Sequence, residues 1–179
     1  AGAHVFVEKP TGHTVKESRA MVNAAKRNGK VVQVGLHRRI GPHHVSGMEF
    51  LKSGQVGDIG MVRSFVNYGG GAEKPTPNAK VPKGMDWDFY CGPSAMRPFN
   101  RRIHPGGWRN FMDYGNGTIG DWGVHWLDQV LWWTEEKYPK RVFSTGGRPV
   151  RGKAVNDGEA QTTDAPDSQA ATFEFEGFT

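Results

Sequence analysis

Apolar and polar positions divide the chain into a strand-helix-strand region followed by segments that alternate every second residue. The runs at 4–8 (HVFVE) and 31–34 (VVQV) are typical of short buried strands. They flank a segment with helical spacing, predicted to be a helix over 15–28. Strand, helix and strand at this spacing predict one βαβ unit with parallel strands.

Helix boundaries can be read from residues that cap helix ends. Thr14 and Glu17 have the spacing of a capping box, and Gly29 is placed to end the first helix. A second helix is predicted from Pro42 to Ser53. The apolar positions expected to form the core face of the first helix are Val15, Met21, Val22 and Ala25.

After Gly60 the pattern changes to strands and loops. Residues 61–68 alternate as in a strand with one covered face. Residues 69–83 form a long Gly/Pro loop, expected to be a lid or mobile. A third helix is predicted from about Asp121 to Thr134, and strands at 141–146 and 169–175.

Composition narrows the classes of protein and of site. With 36% apolar residues in 179, the chain is expected to fold, and no apolar run approaches the ~20 residues of a membrane helix. The single Cys91 excludes an intrachain disulfide framework, and no zinc-like Cys/His spacing predicts a metal site. The net charge is +5, but scattered Lys and Arg form no basic stripe, so nucleic-acid binding is not expected.

Three side chains are candidates for acid-base chemistry. Lys9 follows a strand, at the end where open α/β sheets place ligands. Asp121 and His125 are four residues apart in a predicted helix, so they should share one face. Together these residues can handle the proton of a hydroxyl group. Taken singly, Lys9 is better explained as a solvated turn residue and His125 as an ordinary helix histidine; the joint presence of both motifs reverses this.

Several motifs carry a resemblance to one enzyme family. Glu8-Lys9-Pro10 follows the first strand, and Gly-Asp-Trp-Gly-Val-His occupies residues 120–125. The likeness extends through residues 35–39, 57–60, 87–93 and 108–109. The chain thereby resembles the NAD(P)-dependent glucose-fructose oxidoreductase, inositol dehydrogenase and rhizopine-catabolism (Gfo/Idh/MocA) family.

The resemblance implies an α/β fold in two parts. Residues 1–59 would be the end of a Rossmann-type nucleotide-binding domain with a connecting helix. Residues 60–179 would be part of an α+β substrate and oligomerisation domain with an open, mainly antiparallel sheet. Because no G-x-G-x-x-G follows a strand, we expect a middle fragment of a longer enzyme, inactive by itself.

The implied activity is hydride transfer between NAD or NADP and a secondary hydroxyl of a sugar or polyol. Lys9, Asp121 and His125 would be catalytic: Lys9 hydrogen-bonds the hydroxyl, His125 takes its proton and Asp121 orients the imidazole. Glu8, Lys9 and Pro10 would contact the cofactor. The Lys9-Pro10 bond is a candidate cis peptide.

Four residues are candidates for substrate binding: Arg38, Trp108, Arg109 and Trp122. Each has a structural alternative. Arg38 or Arg39 could instead pair with the facing helix, and the tryptophans, with Trp87, could instead pack in a core. His37 departs from the Asn or Gln associated with its position.

Two other function classes stay open. Some relatives of this kind eliminate a glycosidic group by transient sugar oxidation, which would make the protein an NAD-dependent glycoside hydrolase. A binding or assembly protein without catalysis is disfavoured by the joint presence of the three candidate catalytic residues. We expect a homo-oligomer formed through the sheet, with no membrane partner, in the cytoplasm or, if exported, in the periplasm.

Overall fold

The computed structural model describes residues 2–179, which form two compact units. Unit 1 comprises residues 2–65, 122–143 and 171–179. Unit 2 comprises residues 66–121 and 144–170. Among the described residues, no helix is long and apolar enough to cross a membrane.

Unit 1 begins with the predicted βαβ unit, but the prediction that its strands are buried is wrong, because most of their residues are exposed. Strand β1 (Val5–Glu8), helix α1 (Val15–Arg27) and strand β2 (Val32–Gly35) follow in order. The strands pair in parallel, with Val5 opposite Val32 and Glu8 opposite Gly35. The parallel register brings the carboxyl ends of both strands to one edge, which is where ligands bind in this class of fold.

The ends of α1 follow the sequence prediction, whereas its core face does not. The Thr14 hydroxyl accepts the Glu17 amide at 3.2 Å and Glu17 Oε2 accepts the Thr14 amide at 2.8 Å, which confirms the capping box. The predicted core face is wrong, because α1 buries no residue and Val15 is 87% exposed. The reason is that a pair of four-residue strands offers little surface to cover a helix of 13 residues.

A helical cluster follows β2. It consists of a 3-10 helix (His37–Ile40), helix α2 (Pro42–Lys52) and helix α4 (Val124–Thr134). These three elements contact one another. The predicted second helix is confirmed; Pro42 occupies its first turn, where a missing amide proton costs nothing.

The prediction of a strand at 61–68 is wrong. These residues adopt no regular structure, although the Val62 amide donates to the Thr179 carbonyl at 2.8 Å. Met61 and Phe65 are more than half exposed, so the alternating side chains face no covering layer. Alternation predicts which faces a strand would have, but a ladder forms only where a partner strand supplies hydrogen bonds.

The two strands predicted near the end of the chain are present. Strand β4 (Arg141–Gly147) pairs with strand β6 (Ser168–Glu174). The Lys140 amide donates to Glu174 and the Asp167 amide donates to Gly147, so the pairing is antiparallel.

Unit 2 packs around aromatic side chains. Helix α3 (Trp87–Cys91) begins at Asp86, whose carboxylate accepts the Phe89 amide at 2.9 Å. The predicted loop at 69–83 is irregular except for strand β3 (Thr76–Pro77), which pairs with β5 (Ala160–Gln161). The buried apolar core consists of Trp87, Cys91, Phe99, Ile103 and Phe111.

Candidate functional site

Lys9 lies at the carboxyl edge of the β1–β2 pair. It directly follows β1 and is partly exposed, and its peptide bond to Pro10 is cis. His37 and Arg38 leave β2 from the same edge. Parallel pairing therefore directs the predicted lysine and the start of the 3-10 helix toward one side of unit 1.

Gly35 is a point of close approach on this edge. A Cβ atom at Gly35 would lie 2.5 Å from Glu8 Oε2, so the Glu8 carboxylate occupies the space of the missing side chain. The edge thus combines a close backbone approach with the Glu8-Lys9-Pro10 segment. Both features fit a dinucleotide, which binds outside the carboxyl ends of parallel strands.

His125 is the one residue of α4 that is buried, at 6% exposure. Its ring meets the His37 ring edge-on, with centroids 5.0 Å apart, and the Trp122 ring lies 6.2 Å away. The predicted general base therefore packs against the first residue of the 3-10 helix that follows β2. Within unit 1, Lys9 lies at this edge, and His125 is linked to it through its ring contact with His37.

Arg38 joins the same cluster through aromatic faces. Its guanidinium carbon lies 4.4 Å from the Trp126 ring centroid and 5.8 Å from that of Trp122. Planar guanidinium groups stack well on indole, so the two tryptophans fix the position of this positive charge.

His44 connects this arginine to α4. Arg38 Nη1 lies 3.3 Å from His44 Nε2, and the Gln129 amide nitrogen lies 2.6 Å from His44 Nδ1. A guanidinium can only donate, so Nε2 accepts and the neutral ring carries its proton on Nδ1. Gln129 must then present its amide oxygen, which requires a half-turn of that amide. Burial first, and then the charges of His43 and Arg38, lower the pKa of His44.

Arg39 takes the structural role that sequence left open. Its Nε and Nη2 atoms both donate to Asp128, at 2.7–3.1 Å, which ties the 3-10 helix to α4. Asp128 therefore has a structural role, as the acceptor of this bidentate ion pair.

In unit 2, the predicted residues Arg109 and Asp121 form an ion pair. Arg109 Nε lies 3.0 Å from Asp121 Oδ2, and the guanidinium carbon lies 4.5 Å from the centroid of the Trp108 ring. Trp108 packs against the edge of the aromatic core, and residues 107–110 form a 3-10 helix. The structure thus brings together two substrate-binding candidates and one catalytic candidate.

The helix predicted from Asp121 has a different first turn. Residues Ile119–Gly123 form a π-helical turn, and α4 begins only at Val124. The i,i+4 spacing of an α-helix, used to place Asp121 and His125 on one face, does not apply to this turn. Two glycines, at 120 and 123, weaken regular helix there.

Trp87 is a core residue and not part of a binding wall. It is 6% exposed, its Nε1 donates to the Arg97 carbonyl at 2.7 Å, and Tyr90 stacks on it. The structural alternative is thus correct for Trp87.

Sequence reasoning missed other members of the helical cluster. No role was assigned from sequence to Trp126, His44 or Gln129. The concentration of basic residues at 37–44 directly after a strand was the available signal. Among residues 2–179, no three His, Cys, Asp or Glu side chains gather closely enough to hold a metal ion.

Two family descriptions match separate ranges of this chain. The description "Oxidoreductase family, NAD-binding Rossmann fold" matches residues 1–36, and "Oxidoreductase family, C-terminal alpha/beta domain" matches residues 53–145. The rhizopine catabolism protein MocA of Rhizobium meliloti is 24% identical over 159 residues, covering 89% of this chain and 39% of the relative.

Solved structures share the fold. An NAD binding oxidoreductase from Klebsiella pneumoniae has a TM-score of 0.61 at 19% identity, covering 99% of this chain and 40% of that one. An oxidoreductase domain protein from Kribbella flavida has a TM-score of 0.60 at 23% identity, covering 97% and 39%. The chain therefore spans about 39–40% of the length of these relatives.

The first family match is an NAD-binding domain, and the carboxyl edge of β1 and β2 fits such a cofactor, so NAD or NADP is the cofactor. The second match alone covers more than half of the chain. On these grounds the chain belongs to the Gfo/Idh/MocA family of oxidoreductases.

Proposed function

We propose that the complete enzyme oxidises a secondary hydroxyl of a sugar or polyol, with Lys9, Asp121 and His125 as catalytic residues. The observation that carries this proposal is the shared edge in unit 1. Lys9 leaves the carboxyl end of β1. His37, two residues after the neighbouring strand β2, packs against the buried His125 ring with centroids 5.0 Å apart.

NAD(P), when bound, supplies the acceptor for the hydride that leaves the substrate carbon. Glu8, Lys9 and Pro10 would hold it at the carboxyl edge. The Lys9 ammonium donates a hydrogen bond to the reacting hydroxyl oxygen. His125 accepts the hydroxyl proton, so the oxygen becomes a carbonyl without the release of an alkoxide into water.

Arg109, Trp108, Arg38 and Trp122 are proposed to bind substrate. Arg109 and Arg38 each lie against an indole ring, so each offers a fixed donor beside an apolar face. Sugars have apolar faces and hydroxyl edges, which match such pairs. Asp121 pairs with Arg109 Nε, so in this proposal it also positions the substrate-binding guanidinium.

The test is NADH or NADPH accumulation by the complete enzyme over a panel of sugars and polyols. His125→Ala should lower turnover by roughly 10²–10⁴-fold with little change in cofactor affinity. His43→Ala, at an exposed histidine of α2, is the matched control and should keep turnover. Near-normal turnover of His125→Ala would remove His125 from the mechanism.

The same assay separates the alternative functions. Release of a sugar from a glycoside, without net NADH, would identify an NAD-dependent glycoside hydrolase. Cofactor binding without turnover of any sugar or glycoside would favour a binding protein. The 179-residue chain alone should bind NAD weakly, because it has no G-x-G-x-x-G turn for the pyrophosphate, and calorimetry can measure this.

Domain roles and assembly form a further part of the proposal. We assign residues 1–59 to the nucleotide-binding domain and 60–179 to the substrate domain. Strand β4 exposes Val142 and Phe143, the latter by 69%, which supports association of two copies through this sheet. Phe143→Glu should shift the light-scattering mass toward the monomer.

A further inference from the structure

Unit 2 contains a cavity of about 460 Å³ beside the irregular segment at 71–74. This volume lies in the range of small-molecule sites. Glu73, Lys74, Arg102, Asn110, Arg151 and Thr163 supply its polar lining. The lining thus has three cations and one carboxylate.

The carboxylate of Glu73 is held by its surroundings. Oε1 accepts from Arg102 Nη1 at 2.7 Å, and Oε2 accepts from the Thr163 hydroxyl at 2.6 Å and Arg148 Nη2 at 3.3 Å. Burial opposes ionisation, but the hydrogen bonds from Thr163 and Arg148 and the charge of Arg102 outweigh it and lower the pKa of Glu73. The negative charge is therefore permanent near neutral pH, and two arginines already balance it.

Arg102 is likewise occupied. Its Nε donates to the Thr76 hydroxyl at 2.5 Å and its Nη2 to the Lys74 carbonyl at 2.9 Å. This guanidinium has all three nitrogens engaged and serves to shape the wall.

Lys74 and Arg151 are the cations that remain. Within residues 2–179, the Arg151 guanidinium makes one hydrogen bond, from Nη1 to the Thr163 hydroxyl at 3.1 Å, and the Lys74 ammonium makes no ion pair. The nearby Asp167 carboxylate accepts the backbone amides of Val150 and Arg151. The cavity thus has a surplus of positive charge, and the hydrogen bond to Thr163 holds the Arg151 guanidinium in place.

We propose that this cavity binds a sugar-sized organic anion, whose carboxylate or phosphate pairs with Lys74 and Arg151. Charge-assisted hydrogen bonds to such groups are the strong ones, and arginine presents a fork that matches both. The Asn110 amide, on the same lining, can pair with hydroxyls of the ligand. This site is independent of the proposed hydride transfer, because none of the catalytic, cofactor-binding or substrate-binding residues proposed above lines the cavity and binding requires no NAD.

Calorimetric titration of the 179-residue chain with four probes tests the proposal: glucuronate, glucose 6-phosphate, glucose and inorganic phosphate. The two sugar anions should bind, and the ratio of their affinities shows whether the site prefers a carboxylate or a phosphate. Glucose and phosphate should each bind at least about tenfold more weakly, since each lacks half of the recognised chemistry.

Lys74→Gln and Arg151→Gln should each weaken the preferred sugar anion by about tenfold. Lys80→Gln is the matched control, since Lys80 is exposed on the same segment but does not line the cavity. This variant should bind the sugar anion with the same affinity as the wild type. Because Lys74 is exposed, its variant should fold even if the Arg151 variant does not, and melting curves verify this. Absence of binding by both sugar anions, equal binding of inorganic phosphate, or unchanged affinity of Lys74→Gln would overturn the proposal.

Discussion

Asp121 and Arg109 form an ion pair in unit 2, with Arg109 Nε 3.0 Å from Asp121 Oδ2. The Asp121 side chain is 16% exposed and that of Arg109 is 41% exposed, so the carboxylate is the fixed partner and the guanidinium reaches toward solvent. The Arg109 guanidinium lies over the face of the Trp108 ring. A residue expected from sequence to orient a histidine therefore pairs with a predicted substrate-binding arginine.

This pairing predicts how Asp121→Asn should affect the complete enzyme. Loss of the charged partner frees Arg109 without removing it, so substrate should bind more weakly and KM should rise. Turnover should fall less than in His125→Ala, because the proton acceptor is still present. Steady-state rates against substrate concentration give both parameters.

Arg109→Lys is the companion variant. A lysine keeps the charge but loses the planar fork that stacks on Trp108, so it should also raise KM. An unchanged KM in both variants would contradict a substrate-binding role for this pair.

His44 predicts a dependence of stability on pH. Burial and neighbouring charges lower its folded pKa below the ordinary 6.5, so the unfolded chain binds a proton more readily. The stability that His44 contributes is present above pH 6.5 and is lost as pH falls through the lower, folded pKa. Urea unfolding at several values between about pH 8 and about pH 5 measures this.

His44→Gln keeps a polar side chain beside Arg38 and Gln129 but cannot titrate. Its urea midpoint should fall less steeply below pH 6.5 than that of the wild type. Parallel curves for the two proteins would show that His44 does not carry the effect.

The sequence predicted those parts of the fold that local signals determine. The capping box at Thr14 and Glu17, the parallel βαβ unit and the strand predicted at 141–146 each rest on residues close together in the chain. The family motifs also led to the edge that carries Lys9 and to the buried His125.

The remainder depends on contacts between distant positions. Residues 61–68 have strand alternation but lack a ladder, and only the structure shows which segment lies beside them. The surroundings of Glu73 are assembled from Arg102, Arg148 and Thr163, on separate segments of unit 2. No spacing rule relates these positions, because tertiary packing alone brings them together.

Arg97 predicts a large loss of stability in unit 2. Its side chain is 7% exposed and donates to Asp113 and Asp164, each at 2.5 Å. Arg97→Met would leave Asp164, 19% exposed, without its compensating charge. The free energy of unfolding should fall by about 3 kcal/mol, measured by urea denaturation.

The two carboxylates provide internal controls for this prediction. Asp113 is 37% exposed, so Asp113→Asn should cost no more than about 1 kcal/mol. Adding Asp164→Asn to Arg97→Met should restore part of the loss, since the uncompensated charge is gone. If the losses in free energy of unfolding from the two substitutions simply add in the double variant, the cost of Arg97→Met comes instead from lost packing of Arg97 on Phe111.

Gly107 is required by a backbone contact. A Cβ atom there would lie 1.6 Å from the Arg102 carbonyl oxygen, and a backbone atom cannot rotate away as a side chain can. Gly107→Ala should therefore shift the 3-10 helix at 107–110 and lower the free energy of unfolding by at least about 2 kcal/mol.

Gly106 is the matched control, because a Cβ there meets no atom within 4 Å and its φ of −120° suits alanine. Gly106→Ala should leave the urea midpoint unchanged or slightly raised. Equal midpoints for the two alanine variants would show that the Arg102 carbonyl does not constrain position 107.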